Sequence, residues 1–160
     1  MRADVIEDLF KKYYNDALLY TLSISRNHAV ADDIVSEAFF IALKTADDEI
    51  LNFKAWLLKV CRNLFLNSTR KSNRQTELDE NMADETESVI DSIIRGEEYK
   101  ALYHAISLLT SSHKEVITLF YFEDLSVKEI AAILERSETV VKVTLYRARE
   151  ALKKLLDKNF

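Results

Sequence analysis

The chain has 160 residues, enough for one ordinary domain or two small ones, and at 48% hydrophobic and 31% charged it can bury a core. A single glycine, Gly96, and no proline leave few positions for tight turns, which excludes sandwiches, barrels and nucleotide-binding sheets and favours helices joined by short polar loops. The one cysteine, Cys61, excludes an internal disulfide and a cysteine zinc site and is read as a buried helix residue, while the net charge of −5 argues weakly against nucleic acid.

The first helix is predicted over 4–24, with Leu9, Tyr13, Ala17 and Tyr20 at helical spacing and Asp4 with Glu7 as an Asp variant of the capping box. The same N-terminal segment is charged throughout and has no signal-peptide core. No apolar run approaches the roughly 20 residues of a membrane span, so a cytoplasmic protein without membrane insertion is expected. A polar break at Ser25-Arg26-Asn27-His28 leads to a second helix over 30–45, with Ile34, Ala38 and Ile41 beside Phe39 and Leu43 on adjoining apolar stripes. Asp47-Asp48-Glu49 suits a loop. A third helix, 53–70, has Trp56, Val60, Leu64, Leu57 and Cys61 as its apolar side, and Lys59, Arg62, Asn63, Asn67 and Arg70 around the rest.

Periodicity then fades. Residues 71–95 are polar, acidic and poor in large apolar groups, and read as a flexible linker, within which Val89, Ile90, Ile93 and Ile94 start a helix running on through Glu98. Helix 97–109 follows, with Leu102, Ala105, Ile106 and Leu109 in line. Ser112 with Glu115 predicts a capping box opening helix 113–122; Ser126 with Glu129 predicts another opening 127–134; Ser137 caps a last helix, 138–157. The fold class is therefore all-α, with two small helical domains, 1–72 and 97–160, joined by an acidic linker, 73–96.

Charge follows the same division. Net charge is −5 over residues 1–52, +6 over 53–74 with no acid at all, −8 over 75–98, −2 over 99–135 and +4 over 136–160. Two basic segments alternate with acidic ones, and such segregation carries more information than the total.

The segment LSVKEIAAILERSETVVKVTLYRAREALKKLL, 125–156, has the layout of a helix-turn-helix. Ala131 and Ala132 supply the small residues a close crossing needs, Ile130 and Leu134 point to the core, and Val141, Leu145, Ala148 and Leu152 form the buried stripe of the second helix. Its opposite face holds Thr139, Lys142, Val143, Tyr146, Arg147 and Arg149, a mixture suited to base edges and phosphates in a major groove. An ordinary amphipathic hairpin with a solvated basic face is the bland alternative. His28, His104 and His113 lie in separate segments, so neither a metal nor a catalytic role is expected, and no cofactor.

DLFKKYYNDALLYTLS, ADDIVSEAFFIALK and FKAWLLKVCRNLFLNSTRK resemble region 2 of extracytoplasmic-function (ECF) sigma factors of the sigma-70 family, and 109–156 resembles their region 4. The resemblance implies a promoter-reading subunit of RNA polymerase, not an enzyme, that initiates transcription and helps open the −10 region. It implies that Asp32, Asp33, Ile34, Val35, Glu37 and Phe39 dock on the coiled coil of the polymerase β′ subunit, with region 4 on the β flap. It implies that Lys59, Arg62, Asn63, Asn67, Arg70 and Lys71 meet the melted −10 strand, with Trp56 packing as core. Ser137, Thr139, Lys142, Val143, Thr144, Tyr146, Arg147 and Arg149 would then meet the −35 element. Residues 46–52 match the family's pocket for a flipped base, to be built here from backbone groups and Asn52. The linker matches a segment threaded through polymerase, and an anti-sigma factor is implied as a further partner.

Two departures bear on specificity: Glu135 stands where the family has a turn glycine, and Val143-Thr144 stands where a Ser-Arg pair is common, so thymine methyl groups become possible contacts. The rival readings are a stand-alone helix-turn-helix regulator with an N-terminal dimerisation or sensing domain, and a helical adaptor without DNA binding.

Overall fold

The computed structural model describes residues 2–45, 50, 52–71 and 88–159. These residues are helical with no strand among them, and the chain divides into two units, Met1–Ile90 and Asp91–Phe160. Residues 73–87 of the predicted linker 73–96, and most of the loop 46–52, lie outside the described residues.

The first unit is a bundle of α1 (Ala3–Ser25), α2 (His28–Lys44) and α3 (Phe53–Lys71), each packed on the other two. Ala17, Ala31, Ala38 and Ala42 are fully buried, so backbones approach closely where α1 and α2 meet. Tyr20, Leu22, Val35, Leu57, Leu58 and Cys61 fill the centre. One end is aromatic: Phe10 lies 4.9 Å from Phe39, Phe39 lies 5.9 Å from Phe53, and Phe53 lies 5.8 Å from Tyr13 and 5.7 Å from Trp56. Rings from all three helices thereby share one cluster.

Asp4 and Glu7 form no capping box, because α1 begins a residue earlier: Asp4 pairs with Arg2 at 3.3 Å and Glu7 with Lys11 at 3.3 Å. The cap of α2 is Asn27, whose Oδ1 accepts from the Val30 N–H at 3.1 Å. Leu43, expected on a buried stripe, is exposed, because α2 has only two neighbours to bury against and Phe39 and Ala42 already face them.

A helical stretch at 88–93 spans the boundary between the two units and does not run on through Glu98. Gly96 takes φ 99°, a conformation an L side chain rarely adopts, and α4 (Glu97–Ser107) starts afresh after it. α5 (Ser111–Ile117) is capped by Thr110 without a side-chain bond, so the Ser112–Glu115 box does not form. The predicted helix 113–122 changes character within its length: Thr118–Phe122 is a π-helical turn, in which the Glu123 N–H donates to the Thr118 carbonyl at 3.1 Å.

α6 (Val127–Leu134) and α7 (Glu138–Asn159) complete the second unit. Both halves of the Ser126–Glu129 box are present at 2.9 and 3.1 Å. The Val140 N–H donates to Ser137 Oγ at 3.1 Å, so Ser137 caps α7. α7 packs against α4, α5 and α6. Its Val141, Leu145, Ala148 and Leu152 are buried as one stripe, against a core that includes Ile117, Leu119, Ile130 and Ile133. Of the two alanines proposed for the close crossing, Ala131 is buried and Ala132 is exposed, so Ala131 alone serves it.

Candidate nucleic-acid interface

The turn between α6 and α7 is closed by Glu135 itself, in the left-handed region at φ 55° and ψ 46°, with the Arg136 N–H donating to the Ala131 carbonyl at 3.0 Å. A glycine would adopt this conformation at no steric cost; a glutamate pays about 1 kcal/mol, which the surrounding packing must offset.

Because α7 buries one stripe, its opposite side is fixed by helical geometry. Thr139, Val143, Tyr146 and Arg147 stand there, exposed, with Lys142 on the neighbouring flank. Thr144 is half-buried and sits nearer the core. Ser137 Oγ is engaged as the cap, leaving its proton free to donate outward. Arg149 lies on the flank and is held there: its Nε donates to Tyr121 Oη at 2.8 Å, and its guanidinium carbon lies 5.1 Å from the Phe120 ring centre and 5.6 Å from that of Tyr121.

In the first unit, Lys59, Asn63, Asn67 and Arg70 line the side of α3 opposite Leu57 and Cys61. Asn63, Asn67 and Arg70 are exposed, while Lys59 and Arg62 are half-buried, their stems along the helix and Arg62 toward one flank. Lys71 falls in the last turn of α3, and its side chain lies outside the described residues. Lys54 turns toward its own bundle, 3.8 Å from Asp16 of α1. Trp56 is half-buried against Phe53, a packing residue of the aromatic cluster. Asn52 Oδ1 accepts from the Ala55 N–H at 3.2 Å and so caps α3.

α2 divides into two faces. Ile34, Val35 and Phe39 are buried within their own bundle, and so cannot form an outward docking face. Asp32 accepts a hydrogen bond from the Tyr14 hydroxyl of α1. Burial first, then this bond and the Asp32 charge, push the Tyr14 phenol up to about 12, so it stays a donor at any physiological pH. The outward face consists of Asp33, Glu37 and Lys44 together with Val30, Phe40 and Leu43, and Lys44 Nζ lies 4.3 Å over the Phe40 ring. Phe40, exposed to 54%, was missed from sequence; the signal was the Phe39-Phe40 pair, since adjacent helical positions diverge by about 100° and both cannot enter one core.

Comparison with known proteins assigns both units. Residues 9–75 match the model for sigma-70 region 2, and residues 99–152 match that for sigma-70, region 4. The RNA polymerase sigma factor YlaC of Bacillus subtilis (strain 168) is 30% identical over 166 residues, covering 98% of this chain and 94% of that protein. The chain belongs to the ECF sigma factors of the sigma-70 family. The ECF RNA polymerase sigma factor SigM of the same organism is 28% identical over 158 residues, covering 96% of each chain. In fold, the chain is similar to the sigma factor RpoE solved in complex with the anti-sigma factor NepR from Bartonella quintana, with TM-score 0.66 and 23% identity over 94% of this chain and 98% of that one.

A sigma factor directs RNA polymerase to promoters and so initiates transcription at specific sites. Region 2 in the first unit and region 4 in the second leave a stand-alone helix-turn-helix regulator without support, because such a regulator has no use for region 2. Among the described residues no helix is long and apolar enough to cross a membrane, and no cluster of side chains could hold a metal ion.

Proposed function

We propose that this sigma factor grips the two halves of one promoter at once, through α7 at the −35 element and α3 at the −10 element. The observation that carries this reading is that each unit turns a helix face bearing cations and hydrogen-bonding groups away from its own core. On α7, Thr139, Val143 and Tyr146 meet base edges, Lys142, Arg147 and Arg149 hold phosphates, Ser137 donates at the helix start, and Thr144 supports from the edge. On α3, Lys59, Arg62, Arg70 and Lys71 hold the phosphates of the unpaired strand, and Asn63 and Asn67 offer amides to its bases.

Strand opening then needs no bond chemistry. The complex with polymerase binds the unpaired −10 strand better than the duplex, and that difference in affinity shifts the equilibrium toward the open form. The protein is thus not an enzyme, and it acts in the cytoplasm, where the polymerase works. Asp33, Glu37 and Phe40 form the face for the β′ coiled coil, with Asp32 held beside them by Tyr14; region 4 meets the β flap. Domains 1–72 and 97–160 are joined by 73–96, whose acidic composition keeps it off DNA. An anti-sigma factor, such as the one bound to the Bartonella relative, is the partner that would hold this chain inactive.

Reconstituted transcription tests the reading. Core polymerase with this chain is expected to start RNA at discrete sites in a library of the host's DNA, and to lose those starts when Lys142 and Arg147 are both replaced by Ala. Absence of discrete starts across salt and temperature would overturn it.

A further inference from the structure

The outward side of α7 is unusual for a surface that meets DNA: its first three turns expose three large apolar side chains. Val140 is 46% exposed, Val143 43% and Tyr146 65%. They follow one another at intervals of three residues and so sweep across the side opposite the buried stripe, with Val143 at its centre. Lys142 and Arg147 stand on either side of that centre, and Lys153 and Lys154 follow in the next turns, all exposed. Glu138 in the first turn and Glu150, two turns beyond Val143 on the same side, are exposed acids of this helix, but the charged neighbours nearest Val143 are Lys142 and Arg147, so the patch calls for an occupant that is apolar at the middle and anionic at the edges.

The major groove offers one such arrangement. Its walls are phosphates, and among the four bases only thymine places an apolar group, the C5 methyl, on the groove edge. Asn, Gln and Arg, which read adenine or guanine through paired hydrogen bonds, do not occupy the central position; Val143 does, and its side chain can neither donate nor accept. We infer that Val143, flanked by Val140 and Tyr146, reads the −35 element through thymine methyl groups, so that this sigma factor selects thymine at the base pair Val143 meets. The inference rests on the placement of α7 at the −35 element and adds to it the chemical feature that is read.

Replacing thymine by deoxyuridine removes that methyl and leaves every hydrogen-bonding group in place. On a promoter started by the holoenzyme, single replacements across both strands of the −35 element are to be compared for open-complex formation. At one position or more the uridine template should be weaker by about 4-fold, the value of burying one methyl group. A cytosine tolerated poorly at that position should regain binding when it carries a 5-methyl group. In Val143→Ala the thymine-to-uridine ratio at that position should fall to about 1, although the variant still initiates. Equal function of every uridine template, or a uridine effect that Val143→Ala leaves unchanged, overturns the inference while leaving the promoter reading intact. A holoenzyme that starts at no site overturns both.

Discussion

Arg149 of α7 is tied to Tyr121 of the π-helical turn by a hydrogen bond of 2.8 Å from Nε to Oη, across 28 residues of chain. The bond uses one of five guanidinium N–H groups, and the stacking on Phe120 and Tyr121 fixes the plane of the rest. In its proposed role at a phosphate, Arg149 would act with much of its side-chain entropy already lost. Tyr121→Phe and Arg149→Ala should each weaken promoter binding, with losses that fail to add by about 0.5–1 kcal/mol in a double-mutant cycle. The salt dependence separates their roles: Arg149→Ala should lower the slope of log affinity against log salt by about 1, and Tyr121→Phe should leave it unchanged.

Tyr14 and Asp32 link α1 to α2, and the raised phenol pKa sets a pH signature. Tyr14 titrates near 10 in an unfolded chain and at about 12 in the fold, so its contribution to stability is complete below pH 10 and disappears as pH rises to 12. Denaturant midpoints of the wild type should fall through this window, and those of Tyr14→Phe should fall less. At neutral pH the same substitution should cost about 1 kcal/mol, the worth of one intramolecular hydrogen bond.

The neighbours Phe39 and Phe40 separate folding from docking. Phe39 is buried in the aromatic cluster, so Phe39→Ala should destabilise the fold by about 3 kcal/mol or more. Phe40 is exposed, so Phe40→Ala should change stability by less than about 0.5 kcal/mol yet weaken binding to core polymerase, measured by competition against the wild type.

Glu135 stands in the left-handed region in the turn of the helix-turn-helix. Glu135→Gly should raise stability by up to about 0.5 kcal/mol, because relief of the steric cost is partly offset by the added entropy of the unfolded chain. Glu135→Val, β-branched, should lower stability by more than that. Thermal unfolding of the three proteins provides the comparison.

Much of this was legible in the residues. Helical period, serine caps and the scarcity of glycine were enough for the all-α architecture, because each is a local property. Ser126 and Glu129 read correctly because they immediately precede an apolar run, whereas Asp4–Glu7 and Ser112–Glu115 carried the same pattern one or two residues inside a helix already begun. The π-helical turn was not legible, since the switch from α to π hydrogen bonding has no side-chain signature in TLFYF. The cations of α3 and α7 were legible as residues outside the buried core because charge seldom enters a core. Ile34, Val35 and Phe39 were misplaced because a family motif mixes contact residues with the core residues that present them, and only burial separates the two.

Simultaneous engagement of one promoter by α3 and α7 requires a fixed spacing and helical phase between its two elements. Initiation should be measured on templates in which the −10 and −35 elements are moved apart by 5 base pairs, about half a helical turn, and by 10, about a full one. The account predicts that the half-turn insertion abolishes initiation, by rotating one element to the far side of the duplex, and that the full turn restores part of it at most. Initiation that is indifferent to the insertion would contradict the account.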